Sequence, residues 1–151
     1  MSISPSKLNS FLFFKLPSAF FCGVRVKEIT AETCQATVTH RWINQNPFNS
    51  MYFAVQAMAA ELTTGALVMQ EIERSKAKIS MLVANNKSSF SKKATGKITF
   101  ICNQGDLVKE GISKAISTGE GQTFWLKSIG YNEDQIEVSE MHFEWTVKKK
   151  K

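Results

Sequence analysis

Cysteine and histidine are scarce in this chain of 151 residues. Its three cysteines, Cys22, Cys34 and Cys102, lie far apart and form no Cys-x-x-Cys pair. A tetrahedral zinc site would need nearly all of them together with His40 and His142, so we predict no metal site. An odd number of scattered cysteines is typical of free thiols in a reducing compartment, which predicts a cytoplasmic protein.

The sequence also has no apolar run long enough to cross a membrane. Its most apolar N-terminal stretch, residues 11–21, is too short for a bilayer, is interrupted by a lysine and a proline, and is followed by no cleavage pattern of a signal peptide. Ser4 and Pro5 have the residue types that cap and begin a helix. We therefore predict no membrane span, and an amphipathic N-terminal helix over residues 1–21 that packs on the domain.

Positive charge is concentrated at the C terminus. The formal net charge is +6, but four of the 19 basic residues form the run 148–151, which leaves 15 basic against 13 acidic residues. A terminal run of lysines is usually a solvated tail, and no aromatic and basic motif typical of RNA binding accompanies it. We therefore predict no nucleic-acid partner, one domain over 1–147 and a basic tail over 148–151.

Hydrophobic periodicity predicts a single α+β domain. Asn46 as a cap and Pro47 as the first helical residue predict a long helix over about 47–73. Its apolar residues cover nearly the whole circumference, so it must be buried on most sides. A second helix is predicted near 106–117, and strands over 24–29, 33–40, 77–83, 90–102 with a loop at 92–96, 122–131 and 135–147.

The predicted strands form one sheet. Because hairpins link them, we expect a mostly antiparallel sheet of about six strands. In the last strand the apolar residues change phase, which predicts a bulge near Ser139 or Glu140. One sheet and one helix that is apolar all round indicate a sheet curled around the helix.

Glu61 is the residue of the long helix that most suggests a function. The residues that flank it, over 57–62, are otherwise apolar. Burying an unpaired carboxylate costs free energy, so its pKa must rise or it must find a partner. The structural alternatives are a helix face that emerges at an edge, and a carboxylate paired with a lysine.

Residues 46–54 (NPFNSMYFA), residues 59–62 (AAEL) and Gly65 resemble the hotdog-fold acyl-CoA thioesterases. The likeness is greatest to a branch with the pattern NPF…AAEL…G. Phenylacetate-type members of this superfamily open the central helix with His-Gly-Gly and carry a catalytic Asp or Glu nine residues after the histidine. Residues 90–98 (FSKKATGKI) are similar to that family's turn between paired strands.

The resemblance implies a hotdog fold and hydrolysis of an acyl-CoA thioester. Glu61 takes the place of the catalytic acid and would act as a base or a nucleophile, with Thr64 as a candidate to orient water. Tyr52, Phe53 and Ala54 take the place of His-Gly-Gly, where backbone N–H groups would bind the oxyanion. No cofactor is implied, since coenzyme A enters only as part of the substrate.

Four further residues are candidate substrate contacts. Asn46 is a candidate to contact substrate, although its role as a cap already explains it. Lys92, Lys93 and Lys97 would suit the phosphates of coenzyme A, and a solvated basic hairpin would explain them equally well.

The spacing of Tyr52 and Glu61 predicts an oligomer. Nine residues along one helix span roughly 13 Å, so one thioester cannot touch both. A site that uses both needs the helix start of one chain to face Glu61 of another, and a two-fold axis creates two such sites. This agrees with the family's sites between subunits, and we expect a homodimer or a dimer of dimers.

Two other functions stay open. The absence of His-Gly-Gly would suit a non-catalytic protein that binds acyl-CoA or a fatty acyl group in the same cavity. The lysine tail and the aromatic first helix, with Phe13 and Phe14, would suit a protein that binds a membrane surface or a nucleic acid.

Overall fold

The computed structural model describes residues 3–151 as one antiparallel sheet that wraps around a long helix. This confirms the predicted fold class. The sheet has six strands in the order β1-β2-β4-β5-β6-β3. The elements are α1 (Pro5–Lys15), α2 (Pro17–Phe21), β1 (Arg25–Ile29), β2 (Cys34–Thr39), a 3₁₀ turn (Trp42–Asn44), α3 (Phe53–Ser75), β3 (Ile79–Phe90), β4 (Lys97–Cys102), α4 (Gly105–Thr118), β5 (Gln122–Tyr131) and β6 (Glu137–Lys149).

Small side chains let α3 approach the sheet closely. Ala59, Ala60 and Ala66 are fully buried on the face of the helix that meets the strands. A Cβ atom on Gly65 would lie only 3.1 Å from the ring of Trp145 on β6, so any larger residue would have to displace this ring by a few tenths of an ångström. The helix axis can therefore lie within the curve of the sheet.

The helix starts six residues later than predicted, because Asn46 builds a loop. The side-chain Oδ1 of Asn46 accepts hydrogen bonds from the backbone N–H of Phe48 (2.9 Å) and of Ser50 (3.2 Å). Asn49 adopts the left-handed conformation, with φ of 58°. Asparagine followed by proline is as well suited to such a turn as to a helix start, and here the turn is adopted.

The predicted first helix is also different, since it is divided in two. Residues 1 and 2 of its range lie outside the described residues, and Pro17 ends α1 by beginning α2. Proline lacks an N–H group and its ring clashes with the preceding turn, so a continuous helix is disfavoured there. The side chain of Ser4 caps α1 by accepting from Lys7 N–H (3.2 Å), and Leu8 and Leu12 are buried in the core.

The strand predicted over 77–83 runs on to Phe90, which had been assigned to the next strand. Residues 84–90 carry mostly exposed polar side chains with no apolar alternation, so periodicity alone predicts no strand there. Their backbone is ordered by pairing with β6, with one extra residue between Val83 and Asn85. The predicted loop at 92–96 precedes β4, which begins at Lys97.

The last strand extends beyond the predicted 135–147. Lys148 and Lys149 pair with the beginning of β3, so half of the expected basic tail belongs to the sheet. The bulge falls at Val138, one residue before the predicted position, because Ser139 pairs with Gly130 while Glu137 pairs with Tyr131. Val138 and Ser139 are consequently both buried, which explains the change of apolar phase.

The two edges of the sheet differ. At the β1 edge, the side chain of Asn9 on α1 donates to the carbonyl of Val26 (3.0 Å) and accepts from its N–H (2.8 Å). This side chain satisfies the outward backbone groups at the middle of the short strand. The other edge is β3, which is 12 residues long and pairs only with β6 within residues 3–151.

Candidate functional site

Glu61 lies on α3 at the wall of a pocket of about 320 Å³. The opposite wall is the junction of α1 and α2, over residues 15–19. Burial raises the pKa of the Glu61 carboxyl to about 6 from an ordinary value of 4.5. Lys15 lines the pocket too, but among residues 3–151 no side chain makes a salt bridge or hydrogen bond with this carboxylate. Glu61 is thus a desolvated, unpaired acid beside a cavity.

The helix turn that carries Glu61 is tied to the sheet. The hydroxyl of Thr64 donates to the backbone carbonyl of Glu61 (2.8 Å) and accepts from Nε1 of Trp145 (2.9 Å). A Cβ on Gly65 would lie 3.4 Å from Oε1 of Glu61, so the carboxylate lies over this glycine. Thr64 is fully buried, and its hydroxyl is engaged within the core rather than placed at the pocket.

A larger pocket, of about 590 Å³, lies at the start of α3. Four aromatic side chains line it, from the Asn46 loop (Phe48), from the helix start (Tyr52 and Phe53) and from the end of β3 (Phe90). Five of the predicted site residues line it, namely Asn46, Tyr52, Phe53, Lys92 and Lys93. The structure therefore brings together the predicted groups near the helix start, but it places Glu61 in the other pocket.

Two backbone N–H groups at the helix start are free. The N–H of Tyr52 donates to the carbonyl of Asn44 (2.9 Å), so it is already engaged. The N–H groups of Phe53 and Ala54 donate to no acceptor within the described part of the chain. The positive end of the helix dipole adds to the potential at these two amides, which makes them suitable for a developing negative charge.

The remaining predicted contacts have separate positions. Lys93 Nζ donates to the carbonyl of Phe48 (3.0 Å) and holds the two sides of the larger pocket together. Lys92 lines the same pocket with an exposed side chain. Lys97 lies outside it at the start of β4, and Asn46 uses its amide to build the loop.

In one chain the two pockets are distinct. Phe53 and Glu61 are eight residues apart on one helix, which is about 12 Å at 1.5 Å per residue. No described residue lines both pockets. A thioester bound at the free amides therefore cannot reach the Glu61 of its own chain.

Sequence reasoning overlooked two parts of this region. One is the α1–α2 junction that covers Glu61, for which periodicity carries no signal. The other is Gln56, which is 4% exposed and lines the larger pocket from α3. A polar residue in an apolar helix can mark a site, and Gln56 carried that signal.

The cysteines are poor candidates for nucleophiles. Cys34 and Cys102 are fully buried neighbours on β2 and β4, and all three cysteines are free thiols. Burial raises the pKa of the Cys34 thiol to about 12 and that of Cys102 to about 11. Neither therefore supplies the thiolate that nucleophilic chemistry requires.

Family comparison identifies the chain. The family described as "Domain of unknown function (DUF4442)" matches residues 6–147. The chain belongs to this family. No curated protein sequence matches the DUF4442 chain.

Solved structures show that the DUF4442 chain has the hotdog fold. A Pseudomonas aeruginosa protein described as a "probable thioesterase" superposes with a TM-score of 0.83 at 18% identity, over 99% of both chains. A Chlorobaculum tepidum protein of unknown function gives 0.82 at 16% identity, again over 99% of both. A Haemophilus influenzae thioesterase gives 0.71 at 12% identity, over 99% of this chain and 93% of the other.

The described part of the DUF4442 chain has neither a metal-binding cluster nor a membrane-spanning helix. Over residues 3–151, no group of three or more His, Cys, Asp or Glu side chains is placed to hold a metal ion. No helix in that range combines the length and apolarity that crossing a membrane requires.

Proposed function

We propose that this protein is an acyl-CoA thioester hydrolase whose active site forms between two copies of the chain. The observation that carries the proposal is Glu61, an unpaired carboxylate beside a pocket, with its pKa raised by burial to about 6. A group with a pKa near the working pH is suited to take a proton in a transition state. The similar structures described as thioesterases support the same reaction class.

The proposed reaction uses two parts of α3, the helix start at Phe53 and Ala54 in one copy and Glu61 in the other. The thioester carbonyl lies against the free N–H groups of Phe53 and Ala54 in one copy. Glu61 of the partner subunit removes a proton from water, whose oxygen forms a bond to the carbonyl carbon. The tetrahedral intermediate then expels the coenzyme A thiolate, which accepts the proton from the partner's Glu61. Direct attack by Glu61 to form an anhydride is the alternative route.

The open edge of the sheet supports the dimer. Identical strands that pair antiparallel in one continuous sheet are related by a two-fold axis perpendicular to it. Such an axis through β3 would leave both α3 helices on the same face of the sheet, running in opposite directions. The start of each helix would then approach the Glu61 turn of the other. The β1 edge is less suitable, because Asn9 already occupies it.

The larger pocket suits the proposed substrate. Aromatic walls can pack against an acyl chain, and a volume of about 590 Å³ is within the range of ligand cavities. Lys92 and Lys93 lie on the same pocket, where they would attract the phosphates of coenzyme A.

Replacing the acid tests the reaction. We expect Glu61→Gln to lower kcat by roughly 10² to 10⁴-fold across a panel of acyl-CoAs, because it removes the base and keeps the shape. Release of the thiol is measured with a thiol-reactive dye. Glu73→Gln, an exposed change of the same kind on the same helix, is the control and should leave the rate unchanged. Equal turnover in the Glu61→Gln protein would remove the proposed role.

Oligomeric state tests the shared site. We expect a dimer in analytical ultracentrifugation, and we expect Leu82→Lys on the exposed part of β3 to weaken it at least tenfold while thiol release falls with it. Leu107→Lys is the control, since Leu107 is an exposed leucine on α4. A wild-type chain that is active as a strict monomer would overturn the shared site.

One observation favours a second function. Tyr52 and Phe53 put two large, half-exposed aromatic rings, 5.1 Å apart, at the place that corresponds to His-Gly-Gly in the phenylacetate-type thioesterases that the sequence resembles. Rings in this position could hold an acyl-CoA without hydrolysis. Binding of acyl-CoA by calorimetry with no release of thiol would favour this non-catalytic role.

A further inference from the structure

The helix side of the larger pocket contains a polar group that no part of the chain satisfies. Gln56 is 4% exposed, lines the pocket, and its Oε1 receives no hydrogen bond from any described residue. A buried amide oxygen without a partner costs free energy, and nearly all such groups in proteins are paired.

A second unpaired polar atom lies in the same region. The hydroxyl of Ser139 is 1% exposed and has no partner among the described residues. Ser139 pairs in register with Phe90, which lines the pocket. The adjacent carbonyl, of Val138, accepts hydrogen bonds from the N–H groups of Ser91 and Lys92 on the pocket wall. Ser139 itself does not line the pocket, so Gln56 is the residue with a buried unpaired atom that lines it.

We propose that Gln56 is a specificity residue that accepts a hydrogen bond from a hydroxyl on the acyl group, close to the thioester. This rests on the proposed thioester function. Gln56 is three residues after Phe53, or about 4.5 Å along the helix from the amide assigned to the carbonyl. A group at that distance is attached two or three carbons from the thioester.

The chemistry of the site selects a hydroxyl over other substituents. A hydroxyl donates to Oε1 and can still accept from Nε2, so it satisfies both ends of the amide. The terminal torsion of glutamine is soft, so the amide can turn Oε1 toward the pocket. A plain alkyl chain would leave Oε1 unpaired, and a charged amine would be repelled by Lys92 and Lys93 on the same pocket.

Matched pairs of acyl-CoAs test this. Decanoyl-CoA is compared with its 2-hydroxy and 3-hydroxy derivatives by calorimetry on the Glu61→Gln protein and by thiol release on the wild type. We expect one hydroxylated derivative to bind roughly 10- to 100-fold more tightly than the parent, because a site built for a hydroxyl penalises its loss. Gln56→Leu should abolish this preference, and decanoyl-CoA should bind at least as well as before.

Gln70→Leu is the matched control, since Gln70 is a buried glutamine of the same helix, with an unpaired Oε1, outside the pocket. The Gln70→Leu protein should keep the preference for the hydroxylated acyl-CoA. Gln56→Met replaces Gln56→Leu if the leucine variant does not fold. Equal affinities in the wild-type pocket, a preference that survives Gln56→Leu, or weaker dimerisation as the only effect of that change would each overturn the proposal. A clear binding preference without thiol release would support it while removing the proposed hydrolysis.

Discussion

Two parts of α3 carry the proposed site, the helix start at Phe53 and the turn at Glu61, and they are held in place in different ways. The Glu61 turn is held by the core, through Trp145, Thr64 and the close approach at Gly65. The helix start is held by a loop, which Asn46 closes with its own amide, and the four aromatic rings that line its pocket are exposed. The difference indicates that the position of the acid depends on packing, whereas the larger pocket can change its shape at little cost in stability.

Removing one aromatic ring from each end gives the largest expected contrast. Trp145→Ala should lower the free energy of unfolding by about 3–5 kcal/mol, because it empties a buried site and leaves Thr64 without its donor. Phe90→Ala should cost about 1 kcal/mol, since that ring is half-exposed. Denaturant titrations of the two variants measure this. Equal losses of unfolding free energy in the two variants would mean that the Phe90 wall of the pocket is part of the core.

The charge of Glu61 gives the next largest expected effect, a difference in the pH dependence of stability between the wild type and Glu61→Gln. Its pKa is raised to about 6 in the folded chain from 4.5, so the unfolded chain releases the proton first as pH rises. Stability should fall by about 2 kcal/mol in total as the pH rises from well below 4.5 to well above 6, relative to Glu61→Gln, which stays neutral. Urea titrations of both proteins across this range test it, and parallel stability curves would contradict it.

The same titration predicts the pH dependence of activity. If Glu61 is the base, kcat/KM should fall about tenfold for each pH unit below 6 and level off above it. The profile is measured with saturating and limiting acyl-CoA in buffers of constant ionic strength. A flat profile through pH 6 would assign the rate to another group.

The smallest contrast concerns the lysines. Lys92→Ala should raise KM for an acyl-CoA roughly threefold at low salt, because an exposed ion pair contributes less than about 1 kcal/mol. Lys97→Ala should leave KM unchanged, since Lys97 lies outside the larger pocket. Initial rates at two salt concentrations measure both. An equal rise in KM for Lys92→Ala and Lys97→Ala would indicate general electrostatic attraction of the substrate rather than a phosphate contact by Lys92.

Local patterns predicted most of the architecture. The apolar circumference around Ala59 and Ala66 indicated the buried helix, and Glu61 was the one carboxylate in its apolar part. Helix α4 lies close to the predicted 106–117, with a left-handed Gly119 after it, and a turn built by Asn132 joins the last two predicted strands. These features depend on neighbours within a few residues, so a sequence can reveal them.

Two predictions that were wrong, the start of α3 and the extent of β3, have the same cause. Asn46 and Pro47 favour a turn as well as a helix start, and bonds to Phe48 and Ser50 decided between them. Residues 84–90 have no strand pattern, and their partners on β6 lie 49 to 59 residues further along the chain. Local signals cannot weigh such distant contacts.

The sequence by itself determined the central helix, the antiparallel strands and the acid in the apolar part of that helix, because these follow from periodicity and from the cost of burying charge. Only the tertiary structure decided that Glu61 and the free amides of Phe53 and Ala54 lie in separate pockets. It also decided that Gln56 is left without partners and that β3 keeps an open edge, within the described residues. Those outcomes depend on which distant groups meet, and that is settled by packing rather than by any local pattern.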